Sequence, residues 1–480
     1  MLRLTWVQPE DLLGHELRQA RLDGRSPSAI EARWRAAGGP DAPARAGASP
    51  HRASRYLRLL AEDLLDELAD LPSALSEDEP TGLERIKSLC TDWPGPGGRG
   101  QSCRRGGARP AETGTPQARA SDPAPAPAPT PAALEAAWLG RAIGCLLGKP
   151  VEKLPLDGIR ALARAAGNWP LTTYFTAVGV PADLLAAHPW NRRSASTSLA
   201  ENIDGMPEDD DLNYTLLNLL LLRRHGRTFS TADVARVWLD ELPPGRTFTA
   251  ERVACRNLLS GIEPPHTARH RNPFREWTGA LIRADVHGWT NPGDPAAAAE
   301  QAYRDAVLTH TANGVYAAMF TAAVIATAAT GDHDVHACLR TGRRVIPPRS
   351  RLARAIDHAV RLAESHEDFD EVVDRLHATY SPAHHRIHVL PNTALLTAAL
   401  THAHGDFAGS VCRAVSGGLV TDSVGATAGS IAGLLAGDPA ALPESWRAPL
   451  KNRLATTVAD FDGTGFDTLA HLTHLEATRS

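Results

Sequence analysis

The chain has 480 residues, 43% of them hydrophobic and 5% aromatic, and a formal net charge of −5. That length points to more than one domain, and the weakly negative charge gives no electrostatic footprint for nucleic acid as a partner. The six cysteines lack CxxC or CxxH spacing, which argues against a disulfide frame or zinc module and for reduced thiols in a cytoplasmic protein.

No basic stretch followed by an apolar one opens the chain, so no signal peptide is expected. Ala- and Leu-rich sequence with few β-branched runs favours helices. Residues 9–92 read as a small helical unit, with Leu57, Leu60, Leu64 and Leu68 at helical spacing between about Ser54 and Ala69. Nothing in it has catalytic spacing, and an accessory or docking role is expected. Residues 93–131 are rich in Pro, Gly and Ala, cannot bury enough apolar surface to fold, and read as a disordered linker.

A helix is predicted from about Ala132. It carries Gly140, Gly144 and Gly148 four apart on one face, the spacing of tight packing or of close approach to a ligand. Gly148-Lys149 follows without the GxxxxGK[ST] spacing of a phosphate loop. Residues 155–206 are mixed and loop-rich.

Four acidic residues then stand together, Glu208-Asp209-Asp210-Asp211, after Pro207 and before a Leu-rich run. Two readings are open. Adjacent carboxylates suit a hard cation such as Mg²⁺, and they also suit the positive end of a helix. Thr231–Leu242 reads as a further helix. Residues 243–300 hold many Pro, Gly and Arg residues and predict long loops, which in compact domains are often functional.

The longest uncharged run, between His310 and Asp332, reads as a buried helix from about Thr309 to Thr330 and not as a membrane span. His310, Asn313 and Gly314 lie at its start. His384, His385 and His388 cluster, but no HExxH pattern supports zinc there. Asn392–Ala403 is a core helix. From Ser416 to Gly437 the chain reads SGGLVTDSVGATAGSIAGLLAG; Asp422 and Ser423 sit near Gly417-Gly418, and Gly425, Gly429, Gly433 and Gly437 repeat the four-residue spacing. Two helices with glycine faces suggest close packing around one site.

Four segments, taken in order, resemble the ADP-ribosylglycohydrolase family: 140–152, 208–211, 310–314 and 421–423 with its Gly-rich helix. The resemblance covers about residues 132–440, within a catalytic region set at 132–480, and residues 1–92 look like an N-terminal extension of a bacterial branch. It implies an all-α orthogonal helical bundle with Mg²⁺, one or two ions, in a central cleft. Glu208, Asp209 and Asp210 match the family's metal-binding Thr-Asp-Asp triplet. Asp422 and Ser423 match the end of its Asp-x-Asp-Thr motif, with Val420 where the first Asp would stand. Glu152, Asp209 and Asp210 are the implied catalytic set. His310 matches a histidine near the adenosine ribose, and Asn313, Gly314 and Gly418 accompany it as substrate contacts. The implied activity is hydrolysis of a ribosyl C1–N or C1–O bond in an ADP-ribosylated protein or a small ADP-ribose conjugate, with no nucleic acid or membrane partner. The alternatives are an ADP-ribose-binding homologue weakened by Val420, or a hydrolase of another N-ribosyl metabolite.

Overall fold

A computed structural model describes residues 8–43, 46–47, 49, 52–95 and 126–479. Most of the Pro/Gly/Ala-rich stretch expected to be disordered, 96–125, lies outside the described residues. Among the described residues every regular element is a helix, so the all-α expectation holds. Two isolated bridges, Met206 with Leu454 and Trp277 with His388, tie loops together. No helix of the described residues is long and apolar enough to cross a membrane.

Four helices form the N-terminal part: α1 (Pro9–Leu22), α2 (Ser28–Ala36), α3 (Arg55–Asp70) and α4 (Leu83–Leu89). The Ser54 hydroxyl accepts from the Leu57 N–H and starts α3. Leu64, Leu65 and Leu68 of α3 meet Leu13 and Leu17 of α1, and the same apolar cluster includes Ala250, Val253, Phe274 and Trp277 from far along the chain. Buried charges cross the same junction. Arg275 binds Glu16 at 2.7 Å and Asp23 at 2.6 Å, and Arg351 binds Glu79 at 2.6 Å and Glu276 at 3.0 Å. A buried guanidinium loses its hydration, so it persists only with carboxylates saturating its donors.

The main body is organised on α5 (Pro131–Gly148), α6 (Asp210–His225), α7 (Thr249–Leu259), α8 (Ala312–Ala328), α9 (Val389–His402) and α10 (Thr421–Ala436). Thr130 caps α5, and Pro131 takes its first position, where a missing N–H costs no hydrogen bond. The two glycine stripes pack on each other. Gly140 meets Gly429, Gly144 meets Gly425, and Gly148 meets the backbone of Thr421 and Asp422, each so closely that a Cβ would overlap backbone atoms. Helix α8 begins at Ala312, three residues later than the pattern predicts, because His310 N–H closes the preceding turn on Ala306 O at 2.9 Å.

Candidate active site

The glycine-on-glycine contact sets the site. It holds the C-terminal end of α5 against the N-terminal end of α10, and the Thr421 hydroxyl fastens the two by donating to Gly148 O at 2.8 Å. A cavity of about 470 Å³ opens there. Its floor takes carboxylates from three separate segments: Glu152, just past the 3-10 turn Lys149–Val151; Glu208, Asp209 and Asp210 at the start of α6; and Asp422, beside Ser423, at the start of α10. Val420 lines the same cavity.

The helix-start reading of the acidic segment holds, and the same segment lines the cavity. Asp209 is the cap of α6, accepting from Asp211 N–H at 3.0 Å, and it also faces the cavity. Its other carboxylate oxygen pairs with the Lys149 ammonium, which also donates to Glu208 O at 3.2 Å. Burial opposes the charged carboxylate, but Lys149 outweighs it and holds Asp209 below the ordinary range.

Asp211 turns away from the cavity into the interior. Arg141 donates to its carbonyl at 2.7 and 2.9 Å and stands 3.8 Å from its carboxylate. The Ser423 hydroxyl donates to the Asp211 carboxylate at 3.2 Å, and the Cys145 thiol does so at 3.7 Å. Burial and the Asp209 charge push Asp211 up to about 7. Burial and the surrounding carboxylates also push Cys145 up, which keeps it a thiol and a donor.

Asp210 and Asp422 differ from these. The ion pairs at the floor belong to Asp209, Asp211, Glu208 and Glu152; Asp210 and Asp422 make none among the described residues. Burial raises both well above the ordinary carboxylate range. For Asp210 the charges of Asp209, Asp211 and Asp422 add to it, and for Asp422 those of Glu152, Asp211 and Asp209. Two such groups on one cavity fit a hard cation, which takes oxygen ligands and removes the repulsion. The Cys145, Asp209 and Asp211 ligand atoms also lie within 4.8 Å of one another, close enough to hold an ion.

Basic side chains line the same cavity. Lys153, Arg193, Arg246 and Arg386 border the cavity. Arg246 reaches Glu208 at 3.2 Å, and Lys153 and Asn191 hold Glu152 at 2.7 and 2.9 Å. Phe248, Ile282 and Ile387 supply apolar surface. Part of this wall comes from the 243–300 loops. The same region brings Glu251, which lines the cavity while bound to the buried Arg283 at 3.0 Å.

The structure therefore gathers Glu152, Glu208, Asp209, Asp210, Asp422 and Ser423 at one cavity. It does not bring His310, Asn313, Gly314 or Gly418 to that lining. His310 lies behind Glu251, 3.9 Å from its carboxylate, with Nδ1 2.6 Å from the Thr309 hydroxyl; burial and then Arg283 hold it well below its usual value and neutral. The Asn313 amide is taken up by Glu79, Glu276 and the Leu352 N–H, at 2.8 to 2.9 Å. Gly314 packs on Arg275 O, and Gly418 turns with φ +77° beside Leu156 and Ile159. The His384–His388 pair is likewise committed: the rings meet edge-on at 4.7 Å, and His388 stands 3.7 Å from Glu276 and caps α9.

Arg141 and Glu251 were not singled out by the sequence, and Asp211 was read there only as part of the acidic run. Arg141 carried a signal, a charge among the apolar residues of the second half of α5, and such a charge is buried only when it is paired.

No curated protein matches the chain. A solved structure described as an "ADP-ribosylglycohydrolase-related protein complex" is similar to it, with 20% identity over 72% of this chain and 99% of that chain and a TM-score of 0.47. Residues 128–478 match the family model for ADP-ribosylglycohydrolase, from before α5 to beyond α10 and so across every segment of the cavity floor, and the chain belongs to the ADP-ribosylglycohydrolase family.

Proposed function

We propose that the protein is a Mg²⁺-dependent hydrolase that cleaves the ribosyl C1–N or C1–O bond of ADP-ribose conjugates. The observation that carries this reading is the convergence of Glu152, Asp210 and Asp422 from three segments on one cavity that Arg193, Arg246 and Arg386 also line. An acidic floor suits a cation and a polyhydroxyl sugar; a wall with Arg193, Arg246 and Arg386 suits a diphosphate.

Asp210 and Asp422 would hold the cation, with Glu208, Asp209 and Ser423 around them. A bound divalent ion supplies charge stabilisation for ribose oxygens and a water of lowered pKa. Glu152 faces the same cavity and takes the proton of the attacking water or gives one to the leaving group. Cleavage passes through an oxocarbenium-like state, which a negatively charged floor favours. Ile282, Ile387 and Phe248 limit the water around the reacting bond.

Val420 favours a second reading, an ADP-ribose binder of weakened turnover, because it adds an apolar side chain to the floor close to Asp422. Calorimetry with ADP-ribose, paired with turnover assays of wild type and Val420→Asp, separates the two. Turnover by wild type supports the hydrolase; binding without turnover, with turnover gained in Val420→Asp, supports the binder.

A further inference from the structure

We propose that Lys149 is a standing cation of the floor, a positioning residue whose ammonium satisfies Asp209 and the Glu208 carbonyl, so that the cavity takes a single divalent ion on Asp210 and Asp422. The inference rests on the metal-dependent reading above and sets the number and place of its ions.

Four observations carry it. First, Lys149 is buried, only 7% exposed, in a place where an unpaired ammonium would be costly. Second, its two partners are a carboxylate and a backbone carbonyl of adjacent residues, the kinds of oxygen a hard cation takes. The ammonium meets them as a point charge with three donors. Third, its backbone is locked. Gly148 lies directly on the Thr421–Asp422 backbone, the Thr421 hydroxyl binds Gly148 O at 2.8 Å, and Pro150 follows in a 3-10 turn. The root of the side chain is therefore fixed beside Asp209.

Fourth, the neighbouring charge is also met from within the protein. Arg141, fully buried and paired with Asp285 at 3.0 Å, serves the Asp211 side. The Cys145–Asp209–Asp211 group has metal-like spacing, yet two fixed cations border it and its thiol is a donor to Asp211. A second divalent ion there would face an ammonium at the same carboxylate, and like charges at that range repel strongly. Asp210 and Asp422 are left as the floor carboxylates that make no ion pair among the described residues.

The test uses Mn²⁺ with the chelator-treated full chain, read by calorimetry and by the electron paramagnetic resonance of free Mn²⁺. Wild type binds one ion per chain, Lys149→Arg also one, and Lys149→Met two. Because Lys149→Met could fold poorly, Asp209→Asn and Asp210→Asn provide a second reading. Asp210→Asn weakens Mn²⁺ binding more than Asp209→Asn does, by a margin of roughly tenfold or more. Two ions in wild type, one ion in folded Lys149→Met, or equal losses in the two Asn variants overturn the role of Lys149 while the metal-dependent reading stands. No Mn²⁺ bound to wild type overturns both.

Discussion

Gly144 of α5 and Gly425 of α10 cross so closely that a Cβ on Gly425 would stand 2.5 Å from the Gly144 carbonyl oxygen. This contact lets two helices from opposite ends of the main body meet backbone to backbone. It places Lys149 and Asp422, on the residues that follow and begin those helices, at one cavity. Gly144→Ala therefore costs about 3 kcal/mol of stability, the upper end of ordinary overpacking, since the atoms it strikes are backbone. Chemical denaturation measures this; a loss near zero would mean that the helices part freely.

The N-terminal helices are held by buried charge as well as by leucines. In Arg275→Met, Glu16 loses its bidentate partner and Asp23 its nearest one. Removing one member of a buried pair costs about 3–5 kcal/mol. The exposed pair Arg85–Glu77 is the control, and Arg85→Met changes stability by less than about 1 kcal/mol. Equal effects of the two substitutions would contradict the account of this junction.

His15 gives stability a pH dependence. It packs against Phe274 and Trp277, and burial, then Arg18, lowers it to about 4. A histidine depressed in the folded state is neutral in both states above about 6.5. Below that the unfolded chain takes up the proton first, so stability is lost as pH falls from about 6.5 through 4. The loss from this one group reaches about 3 kcal/mol. His15→Phe shows a shallower decline over that window in urea denaturation at stepped pH, and an unchanged slope would refute it.

Asp210→Asn separates function from stability. Turnover falls roughly 100-fold or more with loss of an ion ligand. The metal-free variant melts no lower than wild type at pH 8, because burial and the charges of Asp209, Asp211, Asp422 and Glu152 already disfavour the charge that is removed. A clear drop in melting temperature would mean that the Asp210 carboxylate is structural.

The features that were legible in the sequence are those fixed by spacing within one segment. The four-residue glycine repeats at 140–148 and 425–433 announced two faces of small residues, and these faces pack on each other. The apolar and acidic pattern of 54–69 marked α3 to within a residue. The acidic run marked the floor, but adjacency could not say which carboxylate points where. One step along α6 turns the side chain by about 100°, which is why Asp210 faces the cavity while Asp211 faces Arg141 and Ser423. Partners 70 or 212 residues away leave no local pattern. His310 and Asn313 carry polar side chains at the head of a buried helix. Nothing local distinguishes a ligand contact there from the buried network of Glu79, Glu276 and Glu251 that they join.

The central claim is that a cation on Asp210 and Asp422 drives hydrolysis of an ADP-ribose conjugate. The most direct measurement incubates the full chain with ADP-ribosylated protein and with small ADP-ribose conjugates, in Mg²⁺ and in EDTA, and follows free ADP-ribose by chromatography. The account predicts release from at least one conjugate in Mg²⁺, abolished by EDTA, restored by added Mg²⁺, and lost in Asp210→Asn. Release that persists undiminished in EDTA, or no release from any conjugate, would contradict it.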